Sequence, residues 1–317
     1  MGEAVAGIPV TCNVCGADDA EAVHEAAGLV RCRRCGLGYV NPQPSDEALA
    51  RLYTDEYYTR PVDPDGPSYI ENRAGLERFF DGRLRRVERF VRPGRLLDVG
   101  AGLGYLLNAA ARRGWQGIGL EVSEFAARYA REQFGLDVRR QSLAEAAFPD
   151  AAFDAVVARD VLEHTRDPRA FLLEARRLLR PGGVLALSMP NFASLNARLG
   201  GLAWRHLRPR QHLFHFTPAT LARLLRECGL ELAECATRYD SPATREVYAA
   251  LAGAAQRRRL ARHAFARGDV VFLPLGSGLR RALRAAAIFF SCITRPFRAK
   301  LRDDILEVIA LKSEADR

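Results

Sequence analysis

The chain's 317 residues, 48% of them hydrophobic, suffice for one large α/β domain plus a small module, without internal repeats or low-complexity tracts. Seven cysteines, four of them in two close pairs, suit metal ligation in a reducing compartment and argue against a disulfide framework. The net charge of +9 is uneven: residues 251–302 hold twelve basic side chains against Asp269, a net +11 that leaves the remainder at −2.

The opening residues, Met1 to Ala6, have no basic and apolar export pattern and no Ser or Thr for myristoylation, so a cytoplasmic protein is expected. Cys12-x-x-Cys15 and Cys32-x-x-Cys35 follow, separated by sixteen residues. Four thiolates on two turns, each followed by a glycine (Gly16, Gly36), can close a tetrahedron around Zn²⁺. Four protein donors leave no open coordination position, which makes such a metal structural. Residues 1–40 therefore read as a zinc ribbon.

Residues 41–92 read as a linker with N-terminal helices and a lid. Asn41-Pro42-Gln43-Pro44 is extended, Ser45 caps a short helix, and the Pro/Asp/Gly stretch from Arg60 to Pro67 is a loop. Apolar residues at helical spacing from Tyr69 to Val91 predict a helix that Pro93-Gly94 stops. From residue 93 to 240, strands at Leu96–Val99, Gly117–Leu120, Ala155–Ala158 and Val184–Ser188 alternate with helices. Ser123 opens one helix and Gly135 closes it, Asp167-Pro168 opens one that Pro181-Gly182-Gly183 ends, and another runs from Thr217-Pro218 to Cys228-Gly229. This alternation predicts an α/β fold with a Rossmann-like, doubly wound sheet.

Asp98-Val99-Gly100-Ala101-Gly102-Leu103-Gly104 joins a strand to a helix through a glycine-rich turn. Its G-x-G-x-G spacing differs from the dinucleotide fingerprint. Asp98 would sit badly beside a pyrophosphate but can hold an ammonium group of an amino-acid moiety. Glu121, ending the next strand, can accept hydrogen bonds from both hydroxyls of a ribose. Further on, Asp160 follows the strand at Ala155–Ala158, with Glu163 and His164 either tying that loop to the sheet or, for His164, joining the chemistry.

Between Met189 and Thr217 lies a polar-aromatic stretch containing His206, His212 and His215. Loops at the carboxyl ends of strands form the ligand crevice of such a sheet, so this stretch is expected to face a bound substrate. An imidazole suits proton removal from an attacking hydroxyl. Residues 241–302 form a basic insert in which Leu279, Leu283, Ala286, Phe290 and Ile293 share helical spacing. It reads as a helical cap over the substrate site ahead of a peripheral membrane contact, and its apolar run is too short to span a bilayer. The last segment, residues 303–317, contains a strand at Ile305–Leu311 that suits an antiparallel close to the sheet.

The unit from Gly94 to Asp240, with the final strand, resembles the class I S-adenosylmethionine (SAM)-dependent methyltransferases. The resemblance implies that Asp98, Gly100, Gly102 and Gly104 contact the amino-acid part of SAM, that Glu121 binds its ribose and that Asp160 lies near the methyl-sulfonium. The acid that often meets the adenine in this family is absent, leaving Ser142 and Leu143 at that position, with Leu143 to pack on the adenine face. The ribbon, the linker and Gln211-His212-Leu213-Phe214-His215-Phe216-Thr217 together resemble bacterial methyltransferases of surface-polysaccharide and natural-product pathways. More distantly they are similar to sugar C-methyltransferases with a zinc module, whose proposed base falls on His212. The implied activity is methyl transfer to a small-molecule hydroxyl of a sugar, glycolipid or secondary metabolite. The rivals are an rRNA or tRNA methyltransferase, disfavoured by the nearly neutral body, and a SAM-binding scaffold without turnover. The sequence leaves the oligomeric state open.

Overall fold

The computed structural model describes residues 7–50, 55–60, 67–201, 204, 206–238 and 304–315. The basic insert expected over 241–302 and most of the expected lid therefore lie outside the described residues.

The N-terminal unit is built on two metal-type turns. In each, the glycine after the second cysteine has positive φ, 70° for Gly16 and 81° for Gly36, and its N–H returns to the carbonyl of the first cysteine. Three short strands accompany these turns: β1 (Ala20–His24) and β2 (Leu29–Cys32) lie between them and β3 (Gly38–Val40) follows the second. Short helices α1 (Asp46–Ala50) and α2 (Asp55–Thr59) lead to α3 (Arg73–Val87). The apolar periodicity predicts that last helix from Tyr69. Ser68 and Glu71 instead bond each other's backbone N–H, closing a turn, and the helix starts two residues later.

The catalytic-size body then alternates as its sequence predicts: β4 (Arg95–Val99), α4 (Tyr105–Arg112), β5 (Gln116–Leu120), α5 (Glu124–Phe134), β6 (Val138–Arg139), β7 (Phe153–Arg159), α6 (Pro168–Leu178), β8 (Leu179–Pro190), α7 (Leu195–Gly200), β9 (Phe214–His215), α8 (Pro218–Glu227), β10 (Leu230–Arg238) and β11 (Ile305–Lys312). Caps explain the helix starts. Ser123, Asp167 and Thr217 each accept from a backbone N–H one turn inside α5, α6 and α8. Gly135 ends α5 in the left-handed region, as expected. Helix α6 ends before Pro181, because β8 already begins at Leu179.

Seven strands order as β10-β11-β8-β7-β4-β5-β6, parallel from β8 to β6, with β11 antiparallel to both β8 and β10. This is the doubly wound sheet with a late antiparallel strand. Strand β10 has no clear sequence signature, since its residues are mostly half-buried or exposed. Alternation along the strands feeds two cores. Leu96, Ala155, Val184 and Ile309 face α3, α4 and α5, whereas Leu97, Val156, Leu185 and Val308 face α6, α8 and the cysteine-rich unit. Arg86 of α3 and Arg238 of β10 converge on the buried carboxylate of Glu307 in β11, each at 2.7 Å, which fastens α3 over the sheet.

The N-terminal sheet is completed by the body, in the order β1-β2-β3-β9. This alters one expectation. The stretch from Met189 to Thr217 was to face the acceptor, but Phe192, Trp204, His206, His212, Phe214, His215 and Phe216 are buried, and β9 pairs with β3. The aromatic residues of this stretch form the seam between the two units. Among the described residues, no helix is long and apolar enough to cross a membrane.

Candidate active site

The turns Cys12–Cys15 and Cys32–Cys35 bring four sulfurs together. Cys12 Sγ stands 3.4 Å from Cys35 Sγ and Cys15 Sγ 3.5 Å from Cys32 Sγ, and all four ligand atoms lie within 4.8 Å of one another. A tetrahedral zinc with bonds of about 2.3 Å has sulfur–sulfur edges of about 3.8 Å. The donor set therefore fits one divalent metal with no position left for a ligand.

The second site is a cavity of about 940 Å³ at the carboxyl ends of β4, β5 and β7. That is the size of a cofactor plus a substrate. Asp98, Gly100, Gly102, Glu121, Ser142, Leu143 and Asp160 all line it. The turn is tight because its amides are used internally: Gly100 and Ala101 donate to the Leu120 carbonyl at 2.8 and 3.0 Å. A Cβ on Gly100 would meet Val161 Cγ2 at 2.5 Å. Gly104 is different. It does not line the cavity, and its Cβ position is filled by Ala130 and Leu136 at 2.8 Å, so it serves the packing of α4 on α5.

The cavity's acids are electrostatically unfinished. Asp98 is 3% exposed, and burial, then the nearby Glu121 charge, push its carboxyl up to about 8 against partial relief from Arg159. Burial also raises Glu121, opposed by N–H donation from Ser123 and Gly102, each at 2.8 Å, and by the Tyr58 hydroxyl. Asp160 is held at φ 52° by its N–H bond to the Ser188 carbonyl, 2.7 Å, and by an ion pair with Arg159 at 3.0 Å. A non-glycine residue in that region is a strained backbone at the cavity wall.

Among the described residues, one histidine lines this space, His164. Its Nδ1 bonds the Gln211 carbonyl at 2.9 Å, so the neutral ring carries its proton there and leaves Nε2 as an acceptor. His212 is packed edge-on behind it, ring centroids 4.8 Å apart, with Nδ1 on the His206 carbonyl at 2.7 Å. Burial lowers both below the usual imidazole range, His212 further because His164 and His215 adjoin it. His215, buried and pushed down to about 3, stays neutral in the seam. Glu163 is fully buried, its carboxyl raised well above normal by burial and by Asp160, one oxygen 3.9 Å from His164 Nε2.

Sequence reasoning did not single out Tyr57, Tyr58, Tyr69 or Phe80, which line the same cavity. Tyr57 stacks on Tyr69 at 5.8 Å and Tyr58 on Phe125 at 6.1 Å. The adjacent tyrosines in the acid-rich Asp55-Glu56-Tyr57-Tyr58 were the available signal.

The sequence profile of a family described as a methyltransferase domain matches residues 69–234, just over half of the chain. The chain belongs to this methyltransferase family. A probable SAM-dependent methyltransferase of Mycolicibacterium smegmatis is 39% identical over 97 residues, 30% of this chain and 38% of that protein. A ubiquinone biosynthesis O-methyltransferase of Xanthomonas axonopodis pv. citri is 35% identical over 184 residues, 54% of this chain and 75% of the relative. A solved SAM-dependent methyltransferase from Archaeoglobus fulgidus is 18% identical, covers 77% of this chain and 98% of its own, and superposes with a TM-score of 0.49.

The cavity of the methyltransferase fits SAM on its own chemistry. Its buried carboxyls, raised by desolvation and, for Asp98, by the neighbouring Glu121 charge, gain most from a ligand that brings positive charge and hydroxyl donors, as an aminoacyl sulfonium nucleoside does. The chain is a SAM-dependent enzyme, and its cysteine cluster is able to ligate a structural metal.

Proposed function

We propose that this methyltransferase transfers the methyl group of SAM to a hydroxyl of a ring-bearing small molecule such as a sugar, glycolipid or secondary metabolite. The observation that carries the reading is that a single cavity runs from the acids Asp98 and Glu121 to the imidazole of His164. When bound, SAM supplies an electrophilic methyl on a sulfonium. Asp98 takes its ammonium, Glu121 its ribose hydroxyls, and Gly100 and Gly102 allow the backbone to approach. Leu143 and Ser142 flank the adenine, and Asp160 stands by the sulfonium.

The aromatic side chains of Tyr57, Tyr69 and Phe80, with Leu76, offer an apolar wall for the acceptor ring and exclude water from it. His164 Nε2 receives the proton of the attacking hydroxyl, because its Nδ1 is committed to a carbonyl. His212, which the resemblance to sugar C-methyltransferases suggests as the base, acts through the ring of His164. A hydroxyl as the methylated group is also supported by the O-methyltransferases among the relatives. Zinc in the cysteine cluster is structural in this reading, and residues 1–40 form its ribbon.

The test is turnover of methyl-labelled SAM against a panel of hydroxyl-bearing sugars and phenols. His164→Ala should lower kcat by about 10²–10⁴-fold with SAM affinity nearly unchanged, and His212→Ala by less. In the wild type the rate should stay level through neutral pH and fall only below the usual imidazole range, because burial lowers the His164 pKa and only the neutral ring accepts a proton. An unchanged kcat in His164→Ala, or transfer to amines alone, overturns the proposal.

A further inference from the structure

Asn13 and Val14 are the two residues between Cys12 and Cys15, and both reach the body of the enzyme. Asn13 Nδ2 donates to Asp167 Oδ1 at 2.9 Å, and its Oδ1 accepts the Arg169 N–H at 2.9 Å. Arg169 in turn donates to the Val14 carbonyl. The same Asp167 oxygen caps α6 by accepting the Ala170 N–H at 2.9 Å, and Asp167 and Ala170 are part of the cavity wall. With both ends of its amide committed, Asn13 is fixed in one orientation, and that orientation is set by a turn whose shape depends on the gathered cysteines.

We infer that Asn13 is a positioning residue that links the metal state of the cysteine cluster to ligand binding in the cavity. The inference rests on the reading that the cysteines hold zinc and the cavity holds SAM. Metal in the cluster fixes the turn, the turn fixes the start of α6, and a ligand that meets an ordered wall loses less entropy on binding. Linkage is reciprocal: whatever zinc does for ligand affinity, the ligand does for zinc.

Two measurements test this. In the first, zinc-loaded enzyme releases metal to a chelator with and without saturating S-adenosylhomocysteine. The ligand should slow release by about five-fold or more. Asn13→Ala should bring the ratio close to one, while its cobalt-substituted form keeps a tetrahedral four-thiolate spectrum. Asn13→Asp, whose carboxylate still accepts the Arg169 N–H but cannot donate to Asp167, should lower the ratio as well. In the second, amide hydrogen exchange over residues 167–171 is followed without any ligand. It should quicken on zinc removal, and in zinc-loaded Asn13→Ala as well. Equal release rates with ligand bound, an undiminished ratio in Asn13→Ala, or exchange indifferent to zinc and to Asn13 overturns the inference. Failure of S-adenosylhomocysteine to bind strikes at the cofactor reading alone, because the exchange experiment still decides the role of Asn13.

Discussion

The cysteine cluster and the carboxylate cradle are both buried concentrations of ionisable groups, yet they are built on opposite principles. The four sulfurs are chemically identical, lie within 4.8 Å of one another and can be satisfied together by one small ion. The cradle mixes carboxyls, backbone amides and aromatic rings around about 940 Å³, with Asp98 pushed up to about 8. A closed donor set makes a fixed joint. An open, partly protonated one makes a receptor for a positively charged ligand. The difference teaches that burial alone does not identify a site; what matters is whether the groups complete one another or wait for a partner.

Breaking the joint should have the largest effect. Cys32→Ser should abolish stoichiometric zinc and loosen β1 to β3, because the energy of metal binding is folding energy for so small a unit, while Val14, Leu37 and Tyr39, which pack into the body's core, retain part of their anchorage. Metal analysis with thermal unfolding checks this, and an unchanged melting temperature and zinc content would refute the assignment. Weakening the receptor should cost less. Asp98→Asn and Glu121→Gln should each lower SAM affinity by about ten- to a hundredfold, from the roughly 1.5–3 kcal/mol of a charge-assisted hydrogen bond, with the fold retained. Calorimetry that finds the wild-type affinity in both variants moves the cofactor elsewhere.

The smallest effect is the sharpest probe of the contrast. At pH 6–7 the free Asp98 carboxyl is mostly protonated, since burial holds its pKa at about 8. An incoming ammonium lowers that pKa, so SAM binding should release close to one proton per chain, read by calorimetry in buffers of different ionisation heat. Asp98→Asn should abolish the release. If the wild type releases none, Asp98 is already ionised and the cradle is as complete as the cysteine cluster.

Much of this was legible in the chain because its signals are local. The strand-turn-helix at Asp98–Gly104 and the caps at Ser123, Asp167 and Thr217 are fixed within a few residues of themselves by backbone geometry. Strand β10 was hidden because its half-buried residues show no strong period, and its neighbour β11 lies far along the chain. The stretch from Met189 to Thr217 misled for the opposite reason. Histidines and aromatics on a loop read as an acceptor surface, but the same residues equally suit a buried seam, and they pack against the cysteine-rich unit.

By itself the sequence determined the spacing of the paired cysteines, the acid-and-glycine turn, the acid after the second strand and the doubly wound alternation. Each depends on residues close enough for backbone stereochemistry to relate them. Only the tertiary structure decided that His164 lines the cavity with His212 behind it, that Gly104 serves packing, that burial raises the Asp98 carboxyl, and that Asn13 meets Asp167 across 154 residues of chain. Those outcomes depend on which faces are buried against each other and on the desolvation that burial brings, and neither is specified by spacing along the chain.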